Sequence, residues 1–207
     1  MPSTGAALPR VDTARFWGAL YESDRLALHA AMYTWPAARL APGSVLDVGC
    51  EYGFGSVLIN EANPALQVIA LDLDLPALQY SRDMVFGRNL RRVHGEGTHL
   101  PVRSGSLSGV YLINLLHLLP STEGVLSEAW RALRPGGMAV AAVPHEGEAQ
   151  PGPRGDGWLR QLLDRLRSLF DEVACPDEIV WGLPSLPAQS FRLDQSDSPW
   201  MALCRKR

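Results

Sequence analysis

Two carboxylates stand at or near the ends of apolar runs in the first half of this chain, with a glycine-rich turn between them, and a third follows a short basic segment. Asp47 follows Val45-Leu46 and precedes Val48; Asp72 ends Gln67-Val68-Ile69-Ala70-Leu71; Glu96 sits in Gly95-Glu96-Gly97-Thr98-His99-Leu100-Pro101. Glycines 49, 53 and 55 mark a tight turn from the first apolar run into a second, Val57-Leu58-Ile59. A strand, a glycine-rich turn and a helix start together suit a nucleotide-like ligand. Missing Cβ atoms let the backbone come close, and amides at the helix N-terminus face the ligand. Asp72 lies roughly 20 residues beyond that turn, where an acid at the tip of a second strand accepts hydrogen bonds from both hydroxyls of a ribose. Asp74, with Pro76 just after it, has the signature of an N-cap and first turn, so two acids compete for the ribose.

The elements that must hold these groups follow from periodicity. Residues 1–11 are small and Pro/Gly-rich, a loose tail. From Asp12, Phe16, Leu20 and Tyr21 recur at helical spacing; Ser23-Asp24 suits an N-cap, Leu26, Ala30 and Tyr33 continue the pattern, and Trp35-Pro36 is expected to end it. A helix is expected over 75–87, a short third strand around Arg92-Val93-His94 and a fourth over Val110-Tyr111-Leu112-Ile113. That strand runs into Asn114-Leu115-Leu116-His117. Ser121 then caps a helix with Glu123 in its first turn, and the breaker Arg134-Pro135-Gly136-Gly137 precedes a strand over 138–143. Residues 144–157 form a long Pro/Gly-rich loop, Trp158 opens an amphipathic helix with Leu159, Leu162, Leu163 and Leu166 on one face, and strand-like segments at 172–174, 178–181 and 200–204 close the chain. This alternation predicts a parallel α/β sheet.

Composition bounds the partners. The chain has 207 residues, 46% hydrophobic and 20% charged, with a formal charge of -3; a substantial core is expected, and there is no basic field for nucleic acid. Arg88, Arg91 and Arg92 form a local basic patch without interleaved aromatics, which favours a solvated connection over a phosphate or nucleic-acid site. Lys206 is the sole lysine. No apolar run is long enough for a membrane span and no signal peptide opens the chain. The three cysteines, Cys50, Cys175 and Cys204, lack metal or disulfide spacing, which points to a reducing cytoplasm and no metal site.

The turn Leu46-Asp47-Val48-Gly49-Cys50-Glu51-Tyr52-Gly53 resembles motif I of the class I S-adenosylmethionine-dependent methyltransferases, hydrophobic-Leu-Asp-x-Gly-x-Gly-x-Gly. It matches at Leu46, Asp47, Gly49 and Gly53 and departs at Glu51, which stands for the middle glycine. Gly95-Glu96-Gly97 through Leu100-Pro101 resembles the family's Gly-Asp-Ala-x-x-Leu-Pro, and Leu133-Arg134-Pro135-Gly136-Gly137 its Leu-Arg-Pro-Gly-Gly. Ser108 departs from the family's aspartate before the fourth strand. The resemblance covers about 40–207 and implies a Rossmann-like doubly wound, seven-stranded, mostly parallel sheet with an antiparallel last strand, preceded by an N-terminal tail and helical cap over 1–39.

The resemblance also assigns roles. Asp47 and the Gly49 backbone hold the methionine ammonium end of S-adenosyl-L-methionine, Asp72 the ribose (leaving Asp74 as the cap), and Glu96 with Gly97 the adenine. Asn114 lines the sulfonium side, and Cys50, Glu51, Gly53 and Leu73 complete the cofactor-binding set. His117, at the end of the fourth strand, is the candidate general base, ahead of His145 in the long loop. Asn114-Leu115-Leu116-His117 is not the Asn/Asp-Pro-Pro-aromatic tetrad of methylases acting on exocyclic nitrogens of DNA bases, so the expected acceptor is a small molecule. Glu51, in a turn that needs left-handed or extended-mirror torsions and near the methionine carboxylate, raises an alternative. With Ser108 it would suit a degenerate methyltransferase-fold module that acts as a non-catalytic partner or regulatory subunit. A nicotinamide dehydrogenase is disfavoured, because Glu51 also breaks Gly-x-Gly-x-x-Gly.

Overall fold

A computed structural model of the chain describes residues 24–84, 90–144, 157–181, 188–193 and 200–207. In chain order these form α1 (Asp24–Ala37), β1 (Gly43–Val48), α2 (Phe54–Ala62), β2 (Leu66–Asp72), α3 (Leu75–Met84), β3 (Leu90–His94) and β4 (Leu107–Ile113). There follow α4 (Glu123–Ala132), β5 (Leu133–Val143), α5 (Trp158–Leu169), β6 (Glu172–Ala174), β7 (Glu178–Trp181), β8 (Gln189–Arg192) and β9 (Trp200–Arg205). The expected helix at 12–21, Arg88 and His145 lie outside the described residues, as does most of the 144–157 loop.

Seven strands make one sheet in the order β3-β2-β1-β4-β5-β9-β6. β1 to β5 pair in parallel, and β9 runs antiparallel to both β5 and β6. All seven residues of β4 are buried, as expected for a central parallel strand covered on both faces, where no polar alternation is needed. α1 and α2 cover one face through Ala30, Tyr33, Leu58 and Ile59; α4 and α5 cover the other through Val125, Leu126, Leu162 and Leu166. The chain reverses its winding direction between β1 and β4, and an open α/β sheet presents its ligand crevice at that point, beyond the carboxyl ends of the strands.

Several expectations are corrected. Pro36 lies inside α1, which ends one residue later at Ala37. β5 starts at Leu133, but its pairing jumps from Leu107↔Leu133 to Gly109↔Met138, so 134–137 bulge out and regular pairing begins at Met138. Thr122, not Ser121, occupies the N-cap of α4, although the Ser121 hydroxyl accepts a hydrogen bond from the Glu123 N–H at 3.3 Å. A strand at 189–192 was not anticipated; it pairs with β7 in a two-stranded sheet of its own. Its partner's Ile179 is fully buried within the α1–α2 cluster, which ties that small sheet to α1.

Two packing devices hold the site in place. A Cβ at Gly55 would overlap the Tyr33 ring, so the start of α2 and the middle of α1 meet only because residue 55 is glycine. On the other face, Glu128 accepts from the Leu100 N–H at 2.8 Å, and Arg131 donates to the Leu100 and Val102 carbonyls at 3.1 and 2.9 Å. These bonds fasten the loop after β3, which carries Glu96, to α4.

Candidate active site

The site is assembled from strand ends. Asp47, in β1, is 2% exposed and accepts a 2.6 Å hydrogen bond from Ser56 on α2. Burial pushes its carboxyl up from 3.8 to about 6; the Ser56 hydroxyl opposes that rise and the charge of Asp72 adds to it. Beyond β1 the backbone turns sharply: Gly49 has φ 74 and Gly53 φ 81, and Gly53 is the N-cap of α2. The Gly49 and Cys50 N–H groups both donate to the Leu71 carbonyl, at 2.8 and 3.2 Å. The amides at the start of the turn are thus spent on β2.

Glu51 has φ 49, the left-handed one of the two positive-φ conformations that its position in the turn allowed. Its side chain is exposed at the rim, and its N–H donates to Asp72 Oδ2 at 2.7 Å. The other Asp72 oxygen accepts from the Asp74 N–H at 2.8 Å, while Asp74 Oδ1 accepts from the Ala77 N–H at 3.0 Å and caps α3. Asp74 is therefore the cap, as the sequence implied, and Asp72 is the acid that lines the cavity. Each Asp72 oxygen retains lone-pair capacity for a second donor. Glu96 is exposed and receives a 2.7 Å hydrogen bond from Thr98, which orients it. At Gly97 a Cβ would meet Val48 and Val125 at 3.1 and 3.2 Å, so a bare backbone lines the floor there.

A cavity of about 490 Å³ joins these groups at the switch point, within the range of small-molecule and cofactor pockets. Gly49, Cys50, Glu51, Asp72, Leu73, Glu96, Gly97 and Asn114 all line it. Asp47 and Gly53 do not; they lie behind the turn and set its shape. His117, in a one-turn 3-10 helix (Leu116–Leu118), is not among the lining residues either, whereas Leu115, Leu118 and Leu119 are. Ser108 is 2% exposed and donates to the Ser44 carbonyl at 3.0 Å, at the start of β4, away from the cavity. Of the two departures from the motif pattern, only Glu51 touches the site. Arg92 donates to the Ser81 hydroxyl and carbonyl at 3.0 and 2.9 Å, so it clamps α3 to β3.

The sequence reading missed the side of the cavity that α1 supplies. His29 and Tyr33 line it, together with Phe54 from α2. The available signal was spacing: His29 stands one helical turn before Tyr33, a residue already on the apolar stripe. Among the described residues no group of three or more His, Cys, Asp or Glu is placed to hold a metal ion, and no helix is long and apolar enough to cross a membrane.

The cavity fits an adenosine-bearing ligand with a cationic tail: an acid with spare lone pairs stands at the β2 tip, a second acid and a bare glycine stand after β3, and a backbone carbonyl follows β1. Comparison with known proteins agrees. Residues 46–141 match the family described as a methyltransferase domain. A probable S-adenosylmethionine-dependent methyltransferase of Mycolicibacterium smegmatis is 31% identical over 147 residues, covering 71% of this chain and 56% of that one. The fatty-acid O-methyltransferase of the same organism is 30% identical, covering 79% of this chain and 59% of its own length. This chain thus spans a little over half the length of these relatives. An S-adenosylmethionine-dependent methyltransferase from Aquifex aeolicus shares the fold at a TM-score of 0.61 and 18% identity, covering 94% of this chain and 100% of that one.

Proposed function

Given that this chain carries a domain of the class I S-adenosylmethionine-dependent methyltransferase family, we propose that it transfers a methyl group from S-adenosylmethionine to a small-molecule acceptor by in-line displacement. When bound, the cofactor supplies an electrophilic methyl group on a sulfonium. The protein's part is to hold donor and nucleophile in line and to exclude water, with no covalent group of its own. Asp72, fixed by the Glu51 and Asp74 amides, accepts from the ribose hydroxyls. Glu96 would accept from the adenine amino group, with the side-chain-free Gly97 leaving room for the base. The Gly49 backbone and the buried Asp47 would hold the ammonium end. Asn114, just past β4, marks the end where transfer occurs.

The observation that carries this reading is that Asp72, the Glu96–Gly97 pair and Asn114 open into one cavity at the β1/β4 switch point. The acceptor end is largely apolar: Phe54, Leu115, Leu118 and Leu119 line it, and Leu118 is 69% exposed at the mouth. That lining suits an acceptor with a hydrocarbon portion; one relative is named for action on a fatty acid. His117 lies outside this lining, so no proton step is assigned to it. The test incubates the protein with methyl-labelled S-adenosylmethionine and fractionated cell extract. Label is expected in the small-molecule fraction; label confined to nucleic acid or protein would contradict the acceptor class.

A further inference from the structure

The cavity has two ends of different character. Asp72, Leu73 and Glu96 crowd the end below β2 and β3, whereas α1 and the exit of β4 supply His29 and Asn114 at the other. His29 is held on three sides. Its ring stacks on Phe54 (centroids 6.0 Å apart, planes 21° apart) and meets Tyr33 edge-on at 5.4 Å. Its Nε2 lies 3.4 Å from Asn114 Nδ2. An amide N–H directed at Nε2 assigns the lone pair to that nitrogen and the ring proton to Nδ1. Asn114 itself has φ 54, a left-handed torsion in a non-glycine residue, and its Oδ1 is buried without a hydrogen-bond partner. Strain and an unsatisfied polar atom on one residue are features that gather at functional positions.

We propose that His29 is the residue through which this cavity tells the charged methyl donor from its neutral product: the neutral imidazole accepts a sulfonium beside it, and the imidazolium excludes the sulfonium while leaving a thioether unaffected. The inference rests on the methyl-transfer reading above, in which Asn114 marks the sulfonium end. Two positive charges confined in a half-buried cavity repel far more strongly than in water. Burial lowers the His29 pKa from 6.5, so the ring is neutral at pH 7.5. The selectivity due to His29 therefore weakens only as acid protonates it.

Other ionisable groups surround the ring. Tyr33 on α1, Tyr111 on β4 and Cys50 after β1 are each pushed up by burial and stay protonated in the relevant range. Asp47 titrates at about 6; its negative charge favours the donor's extra positive charge, so its protonation lowers the ratio in the same direction, in the unmodified protein and in a His29 variant alike. Glu51 faces the cavity from the rim, while Glu61 on α2 and Glu178 on β7, the elements packed against α1, are not buried. The ratio of donor affinity to product affinity cancels whatever acts on both ligands alike, and a His29 variant separates the remainder.

Calorimetry with S-adenosylmethionine and S-adenosylhomocysteine at pH 7.5 and pH 5.0 tests the proposal. In the unmodified protein the donor-to-product affinity ratio is expected to fall on acidification, by severalfold and at most about tenfold, the limit for coupling worth one pKa unit. In His29→Asn the fall should shrink to the share that Asp47 contributes. By reciprocity, the imidazole followed by NMR in the unmodified protein must titrate at lower pH with donor bound than with product bound; this reading stands even where the variant fails to fold. A ratio that does not change in the unmodified protein, or that changes equally in His29→Asn, overturns the role of His29 alone. Absence of product binding at both pH values overturns the methyl-transfer reading and this inference with it.

Discussion

Glu51 shows how one residue can look like damage in a sequence and serve a purpose in the structure. Its position in place of a glycine predicted a left-handed or extended-mirror torsion, and φ 49 is the left-handed one. What the sequence could not show is that the Glu51 N–H, a backbone group present whatever the side chain, fixes one oxygen of Asp72. The strain, on the order of 1–2 kcal/mol, is already present in the ligand-free chain, so its relief acts on folding more than on binding. Glu51→Gly is thus expected to shift stability by less than about 1 kcal/mol, because glycine also loosens the unfolded chain. The affinity for S-adenosylhomocysteine should stay within about twofold, since the N–H remains; a loss of more than tenfold by calorimetry would make the carboxylate itself a ligand. Asp47 gives a second prediction. Its pKa is raised on folding, from 3.8 to about 6. The folded state therefore binds this proton more tightly than the unfolded chain does. That stabilisation is complete below about pH 4 and is lost as pH rises through about 6. Melting temperatures of the ligand-free protein should reflect this loss between pH 4 and 7, and Asp47→Asn should flatten that part of the profile. An unchanged slope in Asp47→Asn would show that another group sets it. His29 marks where sequence reading stopped: a single histidine on an apolar helical stripe gives no sign that it faces a cavity until the helix has been docked.

At the scale of elements, the parallel core was legible because buried strands announce themselves as short apolar runs between glycine or proline breaks. β1, β2, β4 and the regular part of β5 are of that kind. The weak elements were those whose reason lies elsewhere in the fold. β8, Gln189-Ser190-Phe191-Arg192, has no apolar run; it exists because β7 pairs with it, and β7 is anchored by Ile179 against α1. Pro36 was expected to stop α1, yet the last turn survives around it: the Ala38 N–H donates to the Thr34 carbonyl at 3.1 Å and Leu40 to Ala37 at 3.2 Å. The seating of α1 on α2 depends on Gly55, whose added Cβ would enter the Tyr33 ring. That ring cannot move aside easily, being 7% exposed and stacked on Tyr111 with centroids 6.1 Å apart. Gly55→Ala should therefore destabilise the protein by about 1–3 kcal/mol through overpacking, read as a lower denaturant midpoint with an intact far-UV spectrum. An unchanged midpoint would mean that α1 is not docked as described.

At the scale of the molecule, the order β3-β2-β1-β4-β5-β9-β6 gathers residues from positions 29 to 125 of the chain around one cavity. Sequence alone pointed to the cavity-lining residues on the strand ends, through apolar runs at β1, β2 and β4 and through the Gly-Glu-Gly motif after β3, and missed His29 and Tyr33 on α1. The chain spans a little over half the length of the curated relatives described above, and residues 46–141 are the part that matches a methyltransferase domain. α1, α2 and the turn after β4 supply His29, Phe54 and Leu115 to the cavity, the end proposed above for the acceptor. The account stands or falls on the donor site. Calorimetry with S-adenosylhomocysteine at pH 7.5, on the unmodified protein and on Asp72→Ala, tests it most directly. The account predicts one site of micromolar affinity, roughly -8 kcal/mol, weakened by about 1–3 kcal/mol in the variant through loss of charge-assisted hydrogen bonds. No heat from a folded protein, or equal affinity in Asp72→Ala, would contradict it.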